Sequence, residues 1–183
     1  ETILSQVKII QDLVTHFSHF ASLPAPQIEI VDMRALIEEV WCLYRVSYPQ
    51  ISFVQEGFEK QPLVLQTDKK KIKLVLNNLL DNSVRVLLRQ TKQAHVPDFW
   101  KPEISICLLR ESDTKTVKII FSDNGPGILP AVRQTLFLPY VSTEQKNMGL
   151  GLAIVHDIIR QLGGSIKLNP SRVGTQFQIN LPF

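Results

Sequence analysis

Two glycine clusters on either side of a polar segment constrain the fold of this 183-residue chain more than any other feature. The first, Gly125-Pro126-Gly127, follows VKIIFSD, which predicts a buried strand; the second, Gly149-Leu150-Gly151, opens LAIVHDIIRQL, which predicts an amphipathic helix. Glycine lets the backbone reach positive φ and approach a ligand, and a glycine cluster at a helix start directs unpaired N–H groups toward an anion. The segment therefore predicts a phosphate-bearing ligand held beneath a loop.

The composition is that of an ordinary globular protein, with 44% apolar and 20% charged residues. A net charge of +3 is too small to indicate nucleic acid as a partner. The longest apolar runs, such as IKLVLNNLL, are too short and too polar to span a bilayer. The two cysteines, Cys42 and Cys107, lie in apolar contexts, and we expect both to be reduced core residues. One domain, or a domain with an appendage, fits this length.

The first 22 residues have the apolar spacing of one long helix. The chain then continues through Leu23-Pro24-Ala25-Pro26, which predicts a short extended connection. With no partner before it, this helix would pack on the rest of the chain, on a second copy or on a further helix. Its apolar stripe consists of Ile3, Leu4, Val7, Ile10, Leu13, Val14, Phe17 and Phe20.

The rest of the chain alternates one helix with two strands, three times. The helices begin near Asp32 and Asp68, both plausible N-caps, and at 150–162, where Gly163-Gly164 ends the last one. We expect the lysines in the first turn after Asp68 to be solvated. This order predicts an α+β fold, a two-layer α/β sandwich with a mostly antiparallel mixed sheet and helices on one face. The predicted strands span 51–54, 62–66, 103–110, 116–123, 165–168 and 175–181.

The helix that follows Asp68 carries an unusual set of asparagines. Asn78 and Asn82 are spaced i, i+4 on one face, and Arg85 lies one turn further along the same side. Asparagine has low helix propensity, so these residues need a reason to be there. They could hydrogen-bond within a polar patch; alternatively, Asn82 could offer its amide oxygen to a hard cation while Arg85 contacts phosphate oxygens.

Taken together, these motifs resemble the ATP-binding domain shared by sensor histidine kinases, gyrase, Hsp90 and MutL, which has the Bergerat fold. The resemblance covers about residues 32–183. NNLLDNSVRV resembles the asparagine box, DNGPGI the first glycine box, LFLPY the phenylalanine box, MGLGLAIV the second glycine box and Gly174-Thr175 the last short glycine motif. Within the superfamily, LFLPYVST before GLGLAIV is the histidine-kinase form. The opening helix and its linker resemble the second dimerisation helix of nitrogen-regulation sensor kinases.

The resemblance implies ATP and Mg²⁺ as ligands and assigns a base-recognition role to residues of the first glycine box. Asp123 would accept the amino group of adenine, and a carboxylate cannot accept from the carbonyl of guanine. Gly125 and Gly127 would let the backbone pass close beneath the base, Ile128 would line the pocket, and Thr175 would reach the adenine edge.

The resemblance also implies which residues contact the phosphates. Asn82 would hold Mg²⁺, Arg85 stands where the family often has a basic phosphate ligand, and the Gly149-Leu150-Gly151 cluster would direct N–H groups at the phosphates. Asn78, Asn82 and Arg85 form the implied catalytic set. The remaining ATP contacts implied by the motifs are Tyr140, Thr143 and Leu152.

Two absences distinguish this chain from its relatives. Asn78 stands where gyrase and Hsp90 carry a water-activating glutamate, and an amide cannot act as a base, which favours phosphoryl transfer over vigorous hydrolysis. The phosphoacceptor motif of the family, a histidine followed by an acidic residue and then proline, is absent, and His16 and His19 lack that context. The resemblance therefore places the acceptor histidine outside this sequence, on a preceding helix.

The chain also departs from the family pattern at three places. Glu144 stands where a lysine is common, Asn147-Met148 replace the usual Gly-Thr, and Ser83 replaces the commoner alanine after Asn82. The first two remove a cation and backbone freedom from the loop over the phosphates. The serine is a small change.

The leading hypothesis is the catalytic core of a two-component sensor histidine kinase, which passes the γ-phosphate of ATP to a histidine outside this chain for relay to a response regulator. Residues 1–26 would be the second helix of a dimerisation hairpin plus linker, and 27–183 the catalytic domain. A full-length kinase would be a membrane-anchored homodimer with this domain in the cytoplasm. The alternatives are a degenerate scaffold that binds no nucleotide and a serine kinase of the anti-sigma-factor type.

Overall fold

The computed structural model describes residues 24–57, 62–92, 99–111, 113–141, 149–171 and 173–183. The predicted opening helix lies outside these residues, so the division of the chain near residue 26 stays a prediction. None of the helices described is long and apolar enough to cross a membrane. Within these ranges the helices are α1 (Met33–Ser47), α2 (Lys69–Gln90) and α3 (Gly151–Gln161), with a short 3-10 helix at Pro130–Val132. The strands are β1 (Glu29–Asp32), β2 (Ser52–Glu56), β3 (Val64–Thr67), β4 (Glu103–Glu111), β5 (Thr116–Asp123), β6 (Ser165–Leu168) and β7 (Thr175–Pro182).

Five of these strands form one mixed sheet in the order β2-β4-β5-β7-β6. The β2–β4 pair is parallel, whereas β4–β5, β5–β7 and β6–β7 are antiparallel. β1 and β3 pair separately as a two-stranded antiparallel sheet. The predicted mostly antiparallel mixed sheet is therefore confirmed.

One face of the sheet carries the core. Along β5 the side chains of Val117, Ile119 and Phe121 are buried, whereas the residues between them are only half-buried. Side chains alternate between the two faces of a strand, so this pattern marks one covered face. α2 and α3 supply the cover, with Leu80 and Val155 fully buried in the same cluster. The predicted two-layer arrangement is confirmed, and burial of each large apolar side chain stabilises it by about 1.5–3 kcal/mol.

The helix ends follow the predicted signals. Asp32 caps α1 by accepting the N–H of Arg34 at 3.0 Å, and Asp68 caps α2 by accepting the N–H of Lys71 at 2.9 Å. α3 ends at Gln161 with Leu162 as its C-cap, and the next residue, Gly163, has a φ of +73°, the left-handed conformation that glycine adopts without a steric penalty. Local sequence chemistry therefore fixes these three boundaries.

β1 was not predicted, because EIVD lacks the alternation of a half-buried strand. Ile30 is 76% exposed although it is apolar, and within the part of the chain that the structure describes β1 pairs with β3 alone. The prediction for the cysteines was also wrong for Cys42, which lies exposed on α1, while Cys107 is half-buried on β4; both are free. Helical spacing predicts that α1 has a buried apolar stripe, but it does not show how wide that stripe is. Cys42 lies outside it.

Lys71 corrects the expectation that the lysines of the first turn of α2 are solvated. It is 6% exposed, and its Nζ donates to the carbonyl of Pro24 at 2.7 Å and to Oε1 of Gln161 at 2.6 Å. Asp68 accepts the N–H of Gln27 at 2.8 Å on its second oxygen. The incoming chain is thus tied to the start of α2 and the end of α3, contacts that sequence periodicity cannot reveal.

The charge of Asp68 is stabilised by these contacts. Burial acts to raise the pKa of Asp68, but the backbone N–H groups of Lys71, Gln27 and Lys70 outweigh it and hold the pKa below its ordinary value. A carboxyl with a lowered folded-state pKa contributes stability above its unfolded pKa, about 3.9, and loses it as the pH falls.

We expect Asp68→Ala to lower the free energy of unfolding by about 1–2 kcal/mol at pH 7, because it removes the cap of α2 and the anchor of Gln27. Asp68→Asn, the matched control, keeps an acceptor and should lose less. Urea unfolding measures both. The advantage of the wild type over Asp68→Asn should shrink as the pH falls below about 4. An Asp68→Ala variant as stable as the wild type at pH 7 would contradict this role.

Candidate functional site

The candidate site is organised around the carboxyl group of Asp123 at the end of β5. This side chain is 9% exposed. Its Oδ1 accepts the N–H of Gly125 at 3.0 Å and the N–H of Thr175 at 3.3 Å, and its Oδ2 accepts the hydroxyl of Ser83 at 2.9 Å. Three parts of the chain, namely α2, the turn after β5 and the start of β7, therefore meet at one carboxylate.

The environment of Asp123 shifts its acidity. Burial raises the pKa of the Asp123 carboxyl above its ordinary value, while the N–H of Gly125, the hydroxyl of Ser83 and the N–H and hydroxyl of Thr175 act in the opposite direction. Oδ1 accepts the N–H groups of Gly125 and Thr175, and Oδ2 accepts the hydroxyl of Ser83. Because each carboxylate oxygen has two lone pairs, Oδ2 can accept one further N–H donor from a ligand.

Glycines around Asp123 let three backbone segments come into contact. A Cβ added at Gly174, which has φ +70°, would lie 1.7 Å from the carbonyl oxygen of Asp123. A Cβ at Gly127, with φ +76°, would lie 2.9 Å from the carbonyl oxygen of Gly174. Only glycine fits these positions without moving the backbone. Gly125, Gly127 and Gly174 therefore place backbone without side chains beside the carboxylate.

The asparagines of α2 face the start of α3. A Cβ added at Gly151 would lie 2.9 Å from Oδ1 of Asn78 and 3.8 Å from Nδ2 of Asn82. The Nδ2 of Asn78 donates to the carbonyl of Leu74 at 2.8 Å, which fixes the amide and leaves its oxygen directed at Gly151. The asparagine face and the second glycine cluster, two predicted parts of the site that are far apart in sequence, thus lie together.

The first turn of α3 has no side-chain cap among the residues described. Leu150 stands at the N-cap position with its side chain buried, no side-chain hydrogen bond caps the helix, and no acidic residue lies in the first turn. The preceding Gly149 has φ +64°, and a Cβ there would lie 2.5 Å from the carbonyl oxygen of Val141. The opening N–H groups of a helix can bind an anion, and glycine permits this close approach of the backbone.

The remaining predicted residues lie around these groups with different exposure. Ile128 and Leu152 are half-buried and pack against the core. Arg85 and Tyr140 are exposed, with Tyr140 60% accessible and at φ +64°. Thr143, together with the departures at Glu144 and Asn147-Met148, lies outside the described residues.

No group of three or more His, Cys, Asp or Glu side chains that could hold a metal occurs among the residues described. Asn82, half-buried on α2, can supply a single amide oxygen. Mg²⁺ is commonly bound through few protein ligands, with phosphate oxygens and water completing its coordination. The donor set therefore fits a cation that arrives with a phosphate ligand better than a resident metal.

Sequence reasoning missed two side chains that shape the site. Ser83 differs from the commoner alanine by one hydroxyl, yet this hydroxyl reaches Asp123. Asn124 joins the turn after β5 to the chain before β4, since its Oδ1 accepts the N–H of Glu103 at 2.9 Å and its Nδ2 donates to the carbonyl of Lys101 at 2.7 Å. Both residues lie inside boxes identified in the sequence, but nothing in the sequence shows which groups their side chains contact.

We expect Gly174→Ala to disrupt the site, because the new Cβ would overlap the carbonyl of Asp123. Gly163→Ala is the matched control: its φ is also positive, but the nearest atom would be 3.5 Å away. The control should lose about 1–2 kcal/mol of unfolding free energy from the left-handed backbone alone, and Gly174→Ala clearly more. Thermal unfolding of both variants measures this, and equal losses would contradict the close approach of Gly174 to Asp123.

A family model described as "Histidine kinase-, DNA gyrase B-, and HSP90-like ATPase" matches residues 67–183. The nitrogen regulation protein NtrY of Azorhizobium caulinodans is 34% identical over 182 residues, which is 99% of this chain and 22% of NtrY. The chain spans between 22% and 40% of the length of NtrY, sporulation kinase B of Bacillus subtilis and the sensor DctB of Rhizobium meliloti.

Solved structures share the fold. The catalytic domain of the histidine kinase ThkA superposes with a TM-score of 0.71 at 24% identity, covering 85% of this chain and 95% of that one. ThkA in complex with the response regulator protein TrrA gives a TM-score of 0.76 at 22% identity, covering 99% of this chain and 49% of that one. These likenesses show a common architecture.

Proposed function

This chain belongs to the histidine kinase-, DNA gyrase B- and HSP90-like ATPase family of ATP-binding domains, and we propose that it is the catalytic domain of a two-component sensor histidine kinase. It binds Mg-ATP and transfers the γ-phosphate to a histidine on another segment of the longer protein. The similarity to NtrY over nearly the whole chain supports this choice within the family.

In the proposed function, the base of ATP is recognised at Asp123. The Oδ2 of Asp123 accepts the amino group of adenine through the lone pair that Ser83 leaves free. The backbone at Gly125 and Gly127 lies beneath the adenine ring, and the side chain of Ile128 lies beside it. Thr175, whose N–H donates to Asp123, lies at the edge of the ring that carries the amino group. A keto oxygen in place of the amino group would face the carboxylate and be rejected.

The phosphates lie between α2 and the start of α3. The N–H groups from Gly149 to Gly151 donate to the phosphate oxygens, and Arg85, exposed on α2, supplies a cation. Asn82 would hold Mg²⁺ by its amide oxygen, and the ion would neutralise charge on the phosphate oxygens. Leu152, Tyr140 and Thr143 complete the proposed set of ATP contacts.

Asn78 favours transfer of the γ-phosphate to an acceptor over hydrolysis of ATP. Its amide oxygen is directed at Gly151 and its nitrogen is occupied by the carbonyl of Leu74, and an amide in any orientation cannot remove a proton from water. Phosphoryl transfer requires mainly positioning and charge neutralisation. The site is therefore suited to deliver the γ-phosphate to an acceptor brought to it.

The acceptor and the later partners belong to the longer protein. We place the phosphoacceptor histidine on a helix that precedes this chain, with residues 1–26 as the second helix and linker of that hairpin. His156 is the histidine that lies among the described residues. It is half-buried and stacks on Phe137 with 5.4 Å between the ring centroids, so its ring is packed rather than presented to a phosphate donor. The proposed class further implies that the longer protein forms a homodimer through the hairpin and has a membrane anchor. It also implies that a response regulator receives the phosphate.

The observation that carries this proposal is the contact between the asparagine face of α2 and Gly151 at the start of α3. This contact places Asn82, the proposed cation ligand, next to the start of α3, which has no side-chain cap among the residues described. The same helix α2 also contacts the base-recognition carboxylate through Ser83. One helix therefore links the two ends of the proposed nucleotide site.

The direct test is phosphoryl transfer from γ-labelled ATP. The chain alone should not label itself, whereas a version extended at its N-terminus by the natural histidine-bearing helix should form a phosphate adduct that is stable to base and labile to acid. Replacement of that histidine by Gln should abolish the label. Acid-resistant label on a serine of another protein would instead support the anti-sigma-factor type.

We also expect the affinity for ATP to depend on Mg²⁺ through Asn82. Calorimetry of the isolated chain should show that Mg²⁺ strengthens ATP binding in the wild type, and that Asn82→Ala loses this gain because the amide oxygen is removed. Asn77→Ala, a half-buried neighbour on the same helix, is the control and should retain the gain. No binding by the wild type at millimolar ATP would favour the scaffold alternative.

A further inference from the structure

Ser83 is a departure from the family pattern that the structure joins to the site. It lies on α2 immediately after Asn82, is 3% exposed, and donates its hydroxyl to Oδ2 of Asp123 at 2.9 Å. The residue commoner at this position, alanine, has no donor. In this chain, therefore, the helix that carries the proposed cation ligand also contacts the proposed base receptor directly.

The hydroxyl completes the support of the carboxylate. The two backbone N–H groups of Gly125 and Thr175 hold Oδ1, at one end of the group. The carboxylate is rigid and planar, so rotation about its Cβ–Cγ bond moves both oxygens together and is opposed by a hydrogen bond to either one. The hydrogen bond from Ser83 adds a restraint at Oδ2 from the side of α2, so the plane of the group and the direction of the remaining lone pair of Oδ2 are held from both ends of the carboxylate.

We propose that Ser83 is a positioning residue for base recognition, whose hydroxyl aims the free lone pair of Asp123 Oδ2 at the exocyclic amino group of the purine. The inference rests on the proposed function, because it assumes that Asp123 is the base receptor. It goes further by assigning part of the specificity for an amino-bearing base to a side chain outside the glycine boxes.

A second consequence concerns the charge of Asp123. The groups that hydrogen-bond to the carboxyl from each neighbouring part are neutral: Ser83 from α2, Gly125 from the turn, and Thr175 from β7. Burial raises the pKa of Asp123, and the Ser83 hydroxyl lowers it. Removal of the hydroxyl should raise this pKa further, so that ATP binding, which needs the ionised carboxylate, is lost at a higher pH.

The test compares the wild type with Ser83→Ala, Ser83→Cys and the control Ser122→Ala. Ser122 precedes Asp123 on β5 and its hydroxyl bonds to Gln176, away from the carboxylate. ATP affinity is measured by calorimetry from neutral pH downward until binding is lost, because burial raises the pKa of the Asp123 carboxyl. The pKa of Asp123 is followed without nucleotide through the carbon NMR shift of its carboxyl group, and unfolding curves verify that each variant is folded.

We expect Ser83→Ala to bind ATP about tenfold more weakly at pH 7, the size of one hydrogen bond to a charged group, and to move both the acid limb of binding and the carboxyl titration to higher pH. Ser83→Cys, with a weaker donor, should be intermediate, and Ser122→Ala should match the wild type. A folded Ser83→Ala with unchanged affinity and unchanged titration would overturn the role of Ser83 while leaving the proposed function intact. A wild type that binds no ATP would overturn both.

Discussion

The hydrogen bonding of one buried carboxylate governs the arrangement of this site. An ionised carboxyl in a largely apolar interior is costly unless donors surround it. Asp123 obtains them from α2, from the turn after β5 and from the start of β7, and the close approach of Gly174 to its backbone makes this convergence sterically possible. The same satisfied carboxylate keeps one acceptor position for a ligand, so the structural and recognition roles of Asp123 are inseparable.

Helix α2 connects the parts of the molecule that matter for this function. Its first turn holds the incoming chain through Asp68 and the buried Lys71, its middle presents Asn78 and Asn82 to the start of α3, and the next position is Ser83. α3 is held at both ends, by Lys71 through Gln161 and by the asparagine face at Gly151. The chain that enters the domain and the phosphate end of the site are therefore packed on the same pair of helices.

Sequence reasoning was most successful where the signal is local. The caps at Asp32 and Asp68, the glycine that ends α3 and the alternation of β5 follow from propensities within one turn or one strand, and each is confirmed. The burial of Lys71 and the exposure of Cys42 could not be predicted, because they depend on chain segments that are distant in sequence. The contact from Ser83 to Asp123 joins residues 40 positions apart, and only the fold shows that the serine turns toward the carboxylate.

The central claim is that Asp123 recognises a purine base by accepting a hydrogen bond from its amino group. Calorimetry with ATP and inosine triphosphate, which differ chiefly in carrying an amino group or a keto oxygen at the edge that Asp123 would contact, tests it most directly. We predict that inosine triphosphate binds at least about a hundredfold more weakly, since its keto oxygen would face Oδ2 of Asp123 and could donate no hydrogen bond to it. Equal affinity for the two nucleotides would contradict the claim and place the base elsewhere.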